Sequence, residues 1–365
     1  MERLKIDDFL RYKFLSNPTF SPNGESLAFM VHESDLDENG YHSTIWLYEL
    51  SEKSTRQLTT FGQEKIFIWL DEQTLLFSSL REEKDKKRKE AGEPFTVFYK
   101  IDIFGGEAAK AFEIPAIVTR IEKLNQNQFV LTAIYDNNMT DISKMGEKEK
   151  EEYLKKVKEE KDYQILDEIP FWSNGSGFTN KKRIRLFLFD LQTLSLLPIT
   201  DEFTNVENFS LNGDKTKLLF IANSFKDKME IRSDLYLYNI LDGKLSKLTH
   251  EDTFHYNFAH FMKDMVIFAG SNMKNYGINE NPKFYLLDPK TSQVTCLTPN
   301  FDLSLHNSVN SDCRYGNNKI NKVDGEYLYF VTTEWHSSFL NRVGLTGKIE
   351  RLTRDNGSVE GFDVI

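Results

Sequence analysis

The residue types that carry hydrolytic or metal chemistry are spread along this chain without the spacing that such chemistry needs. A serine nucleophile on a strand-to-helix turn requires Gly-x-Ser-x-Gly. The nearest string, residues 174–178 (NGSGF), places its glycines directly beside Ser176 and predicts a flexible loop. His250, His255 and His260 recur every five residues, which fits neither helix nor strand spacing, and no His-Glu-x-x-His motif occurs. The sequence therefore predicts no catalytic residue, metal site or cofactor.

The remaining candidate groups favour ordinary structural positions. His42, His306 and His336 are isolated, and the 56 acidic residues form pairs that sequence alone does not distinguish from solvated faces. Cys296 and Cys313 lack zinc-finger spacing, so we expect two reduced thiols. The formal net charge of −10 argues against a nucleic-acid partner, which requires a basic surface for phosphates.

Neither targeting nor membrane insertion is indicated. The N-terminal residues 1–14 (MERLKIDDFLRYKF) carry charges throughout and lack the apolar centre of a signal peptide. Apolar runs stay well short of the ~20 residues that cross a bilayer. We expect a soluble, cytoplasmic protein with no membrane partner.

A repeated sequence ending organises the chain. A short alternating strand, a polar turn and a second strand closing on Leu-Thr or its equivalent recur, which is the pattern of a β-hairpin. The copies are residues 45–59, 186–200, 235–249, 284–298 and 343–353, with a weaker copy at 97–114. Before each hairpin lies an apolar run such as residues 217–222 (KLLFIA), which suits a strand buried on both faces.

Each unit thus holds about four strands in roughly 50 residues, which is typical of a propeller blade. The sequence predicts an all-β fold, a seven-bladed-type β-propeller in a single domain over residues 1–365. The alternative is an array of two-sheet sandwiches, which does not repeat a whole four-strand unit at one period. The predicted blades are residues 12–61, 62–115, 116–200, 201–249, 250–298 and 299–353, and residues 354–365 begin an incomplete seventh.

Three segments stand outside the repeat. Residues 140–166 lengthen blade three and predict a charged surface helix, either a solvated insertion or a flap that touches a substrate or partner. Residues 82–93 (EEKDKKRKEAGE) predict an exposed loop. Residues 1–13 predict a short amphipathic helix with Ile6 and Phe9 on its apolar face.

The order of these features resembles the acylaminoacyl-peptidase branch of the prolyl oligopeptidase family of serine peptidases. Residues 7–31 resemble the family's entry, a short helix and a first blade opened by Ser-Pro-Asp-Gly, with Asn23 at the third position. Residues 162–200 are the most specific match, and residues 207–223 resemble the next blade's opening, with Leu211 where proline is usual.

The resemblance covers the whole chain but only half of a family member. It implies a C-terminal α/β-hydrolase domain in the same polypeptide, which supplies the Ser-Asp-His triad and has no counterpart here, so this chain alone is expected to be inactive. It also implies that the propeller restricts access to short peptides. The candidate substrate-facing loop contains Phe171, Trp172, Asn174 and Phe178, and the alternative is that these residues merely close blade three.

Two other functions stay open at the level of sequence. A free-standing propeller scaffold for protein–protein interaction requires a complete ring. A propeller hydrolase with a metal in its tunnel requires His, Asn and acidic side chains that converge on the axis.

Overall fold

The computed structural model describes residues 3, 5–140, 142, 145–249, 253–309 and 314–365. It is an all-β propeller fold whose blades are six four-stranded antiparallel sheets. The six sheets fall within the six repeat units predicted from the sequence. The expectations for His250 and Cys313 lie outside the described residues, whereas Cys296 is a free thiol.

Each sheet takes its four strands in chain order from one repeat unit. In the first three blades the strands are β1 (Lys13–Phe20), β2 (Ser26–Asp35), β3 (Gly40–Glu49) and β4 (Ser54–Gln57); β5 (Phe67–Trp69), β6 (Thr74–Ser78), β7 (Thr96–Asp102) and β8 (Ala109–Ile114); and β9 (Ile117–Lys123), β10 (Gln128–Asp136), β13 (Lys182–Asp190) and β14 (Ser195–Pro198). A separate two-stranded hairpin, β11 (Trp172–Ser173) and β12 (Gly177–Phe178), interrupts the third.

The last three blades have no inserted strands. Their strands are β15 (Thr204–Leu211), β16 (Lys217–Ser224), β17 (Asp234–Asn239) and β18 (Leu245–Lys247); β19 (His255–Met262), β20 (Met265–Ser271), β21 (Lys283–Leu287) and β22 (Val294–Cys296); and β23 (Asn321–Asp324), β24 (Tyr327–Glu334), β25 (Ser337–Gly344) and β26 (Ile349–Arg351).

In blades four and five the second strand is the most deeply buried of its sheet, because its apolar run faces neighbouring layers on both sides. In β16, Leu218 to Ala222 are all buried, and in β20 Val266 to Ala269 are all buried. Aromatic rings fill the space between strands, as where Phe284 lies 4.6 Å from Phe330, centroid to centroid. The aromatic-rich composition is therefore used in the core.

Two α-helices lie among the described residues, both between the second and third strands of a sheet. Helix α1 (Glu83–Glu90) shows that the loop predicted for residues 82–93 is wrong. Acidic residues in its first turn and basic residues in its last turn stabilise the helix by interacting with its dipole. This stabilisation leaves no apolar periodicity in the sequence. Helix α2 (Glu147–Glu159) lies in the extra length of blade three and buries Leu154.

Short 3₁₀ turns make up the rest of the helical structure described. They are Asp8–Arg11, Glu160–Asp162 and Gly277–Asn279. The amphipathic helix expected within residues 1–13 is thus a single turn, with Ile6 fully exposed and Phe9 partly exposed.

The chain divides into two compact units. Unit 1 comprises residues 1–62, 207–222 and 231–365, and unit 2 comprises residues 63–206 and 223–230. Within unit 1 the C-terminal residues lie beside β1. The Asp363 carboxylate accepts a hydrogen bond from the Phe20 N–H at 2.8 Å and forms an ion pair with Lys322 at 2.7 Å. Phe362 is buried there, and no strand is assigned to residues 354–365.

The two ends of each sheet carry different links between its strands. At the end called here the turn end, strand one meets strand two and strand three meets strand four through short turns. At the opposite, connection end, strand two leads to strand three. The longest connections, residues 79–95 and 137–181, lie in unit 2, and the connection at 272–282 lies in unit 1.

Candidate functional site

The predicted substrate-facing residues lie together on the hairpin β11–β12, at the connection end of blade three. Trp172 pairs with Phe178 across the hairpin, and their rings meet edge to face with centroids 5.2 Å apart. Gly175 and Gly177 have φ of +81° and +72°, the left-handed region that glycine enters without strain. The NGSGF string therefore forms the turn of a hairpin.

The aromatic side chains of this hairpin point to solvent. Trp172 is 54% exposed, and Phe171, Phe178 and Asn174 are exposed as well. Large aromatic rings normally bury most of their area. A group of exposed rings on one hairpin therefore indicates an interaction surface more often than a single exposed ring does. We call residues 170–178 the aromatic hairpin.

The segment that leads into the aromatic hairpin is apolar and exposed too. Its large exposed side chains are Tyr163, Ile165, Leu166 and Ile169. The backbone of Ile169 is nevertheless fixed, because its N–H donates to the Asp227 carbonyl and its carbonyl accepts from the Met229 N–H, both at 2.8 Å. The apolar surface of this part of unit 2 is thus carried by an ordered backbone.

A buried ion pair lies at the base of the hairpin. The guanidinium of Arg183 makes a two-pronged contact with the Glu168 carboxylate, at 3.0 Å from Nη1 to Oε1 and 2.8 Å from Nη2 to Oε2. The two side chains are 1% and 0% exposed. Because a buried charge is costly unless paired and hydrogen-bonded, this contact holds the two segments together only if its other hydrogen bonds are made as well.

Those other hydrogen bonds are all made. The remaining N–H groups of Arg183 donate to the carbonyl oxygens of Lys182, Phe203 and Phe225, at 2.9–3.2 Å. All five guanidinium N–H donors therefore have an acceptor. Glu168 Oε1 also accepts the backbone N–H of Lys181 at 2.5 Å. The pair joins the segment before the hairpin to β13. Through the carbonyls of Phe203 and Phe225 it also joins two neighbouring segments, all within unit 2.

An ionic network joins the two helices of unit 2. Arg88 of α1 contacts Glu93 and Glu113, each through two hydrogen bonds of 2.6–3.1 Å. Lys150 of α2 reaches Glu93 at 2.8 Å. Helix α2 is thus fixed beside α1 by a charged contact, and its far surface carries the exposed pairs Lys155–Glu159 and Lys156–Glu160.

His32 contacts two serine hydroxyls in the interior of blade one, and the surroundings of this cluster are those of a core. His32 Nε2 lies 2.7 Å from Ser16 Oγ and His32 Nδ1 lies 2.7 Å from Ser43 Oγ. Burial lowers the pKa of His32 to about 4, so the ring is neutral near pH 7. Ser16 is 3% exposed, which closes its hydroxyl to a substrate. These three residues bind one another across β1, β2 and β3.

Unit 1 has its own exposed aromatic at a connection end, which the sequence reading missed. Trp335 occupies the two-residue turn between β24 and β25, is 97% exposed and has a φ of +54°. A bulky residue in the left-handed region is a backbone outlier. The signal available in the sequence was the position of a tryptophan where a hairpin turn calls for Asn, Asp or Gly.

Tests for metal and membrane sites add two observations. In the described part of the chain, His, Cys, Asp and Glu side chains do not come together in a group of three that could hold a metal ion. Every helix among the described residues is too short or too polar to cross a lipid bilayer.

Comparison with known proteins places the fold. No protein-family model matches the chain. It is 22% identical to the uncharacterized peptidase YuxL of Bacillus subtilis over 99% of its own length and 53% of that protein. It resembles the Pyrococcus horikoshii acylaminoacyl peptidase, with a TM-score of 0.67 at 16% identity over 98% of this chain and 48% of that chain.

A second solved structure matches the chain nearly end to end. The β-propeller domain of the Trilobed protease from Pyrococcus furiosus gives a TM-score of 0.58 at 16% identity, over 97% of this chain and 89% of that one. The chain is thus a β-propeller whose structural neighbours include propeller domains of peptidases. It spans about half the length of YuxL and of the acylaminoacyl peptidase.

Proposed function

We propose that this chain is the non-catalytic propeller of a serine peptidase of the prolyl oligopeptidase type, acylaminoacyl-peptidase branch. The observation that carries the proposal is coverage: 98% of the chain matches 48% of an acylaminoacyl peptidase. In such a protein a C-terminal α/β-hydrolase domain cleaves the peptide, and the propeller restricts access to it. A steric role of this kind needs no reactive side chain on the propeller.

The remaining architectural expectations belong to the same proposal. The chain then supplies six blades of a seven-bladed type, with residues 354–365 opening the seventh and α2 lying in a helical insertion of blade three. The packing of Asp363 against Phe20 and Lys322 supports a terminal segment that belongs between the last and first blades. A single propeller domain over residues 1–365 and a cytoplasmic location are retained as parts of the proposal.

The connection ends of the sheets are the proposed contact surface for the hydrolase domain. In unit 1 they expose Trp335, Tyr276 and Ile278, and the segment before β1 exposes Ile6. In unit 2 they expose the aromatic hairpin. Within each unit, large exposed apolar side chains at these ends support a partner there.

The aromatic hairpin is the proposed contact for short peptides. Trp172→Ala in the longer polypeptide is expected to raise KM several-fold and to leave kcat unchanged, because the ring binds substrate away from the reacting bond. Leu241→Ala, an exposed residue at a turn end, is the matched control and is expected to change neither constant. An unchanged KM in Trp172→Ala contradicts the assignment.

Hydrolysis assays test the peptidase assignment itself. The 365-residue chain alone is expected to release no product from an acetyl-alanyl anilide or a short peptide, whereas the longer polypeptide releases it. Turnover by the purified 365-residue chain, abolished by a serine-directed inhibitor, would sink the non-catalytic assignment.

The coding sequence beyond Ile365 separates this function from a free-standing interaction scaffold. We expect an α/β-hydrolase sequence with a Gly-x-Ser-x-Gly motif to follow. A stop codon at that position selects the scaffold.

A further inference from the structure

The aromatic hairpin combines exposed aromatic rings with a run of uncharged residues. Residues 170–178 (PFWSNGSGF) carry no charged side chain, although 28% of the residues of the whole chain are charged. Its exposed surface consists of aromatic rings and of neutral polar groups of Ser and Asn. The exposed rings favour an apolar side chain as the occupant, because it would bury apolar area against them. The charged group beside them, the Lys182 ammonium, already donates to the Phe178 carbonyl at 3.1 Å.

The hairpin is too small to hold its own shape. Two residue pairs, Trp172–Phe178 and Ser173–Gly177, form the whole of its ladder. A two-stranded hairpin of this size is marginal in water by itself. Its order must come from the segments at its base, which are Ile169 on one side and residues 179–183 on the other.

The base is held by contacts that converge on Glu168 and Arg183. Glu168 immediately precedes Ile169, whose backbone is hydrogen-bonded to residues 227 and 229, and Arg183 lies in β13. The Thr179 N–H closes the hairpin on the Phe171 carbonyl at 2.8 Å. The guanidinium also lies 3.7 Å from the Phe225 ring centroid, so it is enclosed on its face as well as at its edges.

From this arrangement we propose that Glu168 and Arg183 are positioning residues that hold the aromatic hairpin preformed to receive an apolar side chain of a peptide. This rests on the proposed function for the identity of the peptide, whereas the positioning itself is a property of the chain alone. Preforming a binding loop removes the loss of conformational freedom that binding otherwise requires, so disorder in the hairpin lowers affinity without removing any contact residue.

The chain offers a matched control one residue away. Asp167 is a carboxylate in the same segment, 54% exposed, and it contacts Lys181 at 3.2 Å. Asp167→Asn removes a charge from the same stretch of backbone at a solvated site and leaves the buried pair intact. Glu168→Asp is the test variant, because it keeps the charge and shortens the side chain by one methylene, which breaks the two-pronged geometry.

Hydrogen exchange of the wild-type chain and both variants tests the positioning. In the wild type, the amides of Ile169, Thr179 and Met229 are expected to be protected. Glu168→Asp is expected to speed their exchange at least tenfold and to leave the amides of β10 unchanged, and Asp167→Asn is expected to change neither. Wild-type exchange rates at these three amides in Glu168→Asp overturn the proposal. If Glu168→Asp does not fold, the wild-type measurement decides. Unprotected amides of Ile169, Thr179 and Met229 in the wild type would overturn the positioning proposal equally.

Peptide binding tests the recognition. Fluorescein-labelled Ala-Ala-Phe-Ala is expected to bind the 365-residue chain, Ala-Ala-Glu-Ala to bind at least tenfold more weakly, and Glu168→Asp to weaken binding of the Phe peptide at least tenfold. Equal affinity of Glu168→Asp and wild type for the Phe peptide, with the hairpin amides deprotected, overturns the recognition. If the wild type binds neither peptide while Glu168→Asp still deprotects the hairpin, the proposed peptide function fails and the positioning stands.

Discussion

The turn ends of these sheets are closed by local contacts, whereas the connection ends of blades one and three add buried contacts between separate segments. At the turn ends, Asp and Asn side chains accept hydrogen bonds from backbone N–H groups of their own turn, as Asp190 does from Gln192 and Thr193 and Asp288 does from Lys290. Such local turns occur at connection ends too, as where Asp35 accepts the Glu38 N–H, but the connection ends of blades one and three also carry buried contacts between separate segments. Glu168 reaches Arg183 in β13, and His32 joins Ser16 to Ser43.

The difference teaches where this chain keeps surface for other molecules. A turn closed by its own side chain needs no partner to hold its backbone. When buried polar contacts fix the backbone of a connection, its outward side chains are not needed for packing and remain exposed. The connection ends expose the large aromatic side chains of Trp172 and Trp335. We therefore expect substitutions at the connection ends to change stability more than substitutions at the turn ends.

Breaking the buried ion pair is expected to have the largest effect. Glu168→Gln leaves the Arg183 guanidinium buried without its counter-charge, so we expect the free energy of unfolding to fall by about 3–5 kcal/mol. Asp167→Asn, at the exposed contact, is expected to lower it far less, because solvent screens an exposed ion pair. Urea denaturation of both variants measures the difference, and equal losses would show that the connection end does not depend on its buried pair.

The buried histidine of blade one gives a pH dependence of known sign. Its folded pKa of about 4 lies below the unfolded value of about 6.5, so the unfolded chain binds the proton more readily. Stability is full above pH 6.5, falls as the pH drops towards 4, and loses up to about 3 kcal/mol through this group. His32→Gln is expected to flatten the profile between these values. A variant profile as steep as that of the wild type contradicts the role of His32.

Trp335, the exposed tryptophan of blade six, is expected to lower the free energy of unfolding of the isolated chain slightly. Trp335→Gly relieves the left-handed backbone and removes no packing, so we expect the free energy of unfolding to rise by up to about 1 kcal/mol. In the longer polypeptide the same change is expected to loosen contact between the two domains, seen as faster proteolysis between them. Loss of stability in the isolated chain would show that Trp335 packs within it.

The turn ends are expected to respond least. Hydrogen bonds from the Thr193 N–H and its neighbours lower the pKa of Asp190, so its contribution is present above the unfolded pKa near 4 and is lost as the pH falls through the lower folded value. Asp190→Ala is expected to lower the melting temperature less than Glu168→Gln does and to leave peptide affinity unchanged. A change in peptide affinity would erase the distinction between the two ends.

What the sequence predicted follows the same division. The repeat and the six four-stranded sheets depend on local pattern, and strand periodicity and turn residues carry that pattern. Helix α1 was missed because residues 82–93 lack apolar periodicity, and its stability comes from Arg88 meeting Glu113, which is distant in sequence.

The candidate site divides in the same way. The four predicted residues, Phe171, Trp172, Asn174 and Phe178, do share one hairpin, because a Gly-rich turn between aromatics is a local signal. The partnership of Glu168 with Arg183 was not foreseen. Both residue types are common in this chain, and only the folded structure shows which carboxylate is buried with which guanidinium.

Footprinting of exposed side chains tests the central claim most directly. Hydroxyl-radical labelling is compared between the 365-residue chain and the longer polypeptide that we expect the coding sequence to specify. The account predicts that Trp335 and Tyr276 at the connection ends lose reactivity in the longer polypeptide, whereas Phe104 and Leu241 at the turn ends keep it. Unchanged labelling at the connection ends, or protection confined to the turn ends, would contradict it.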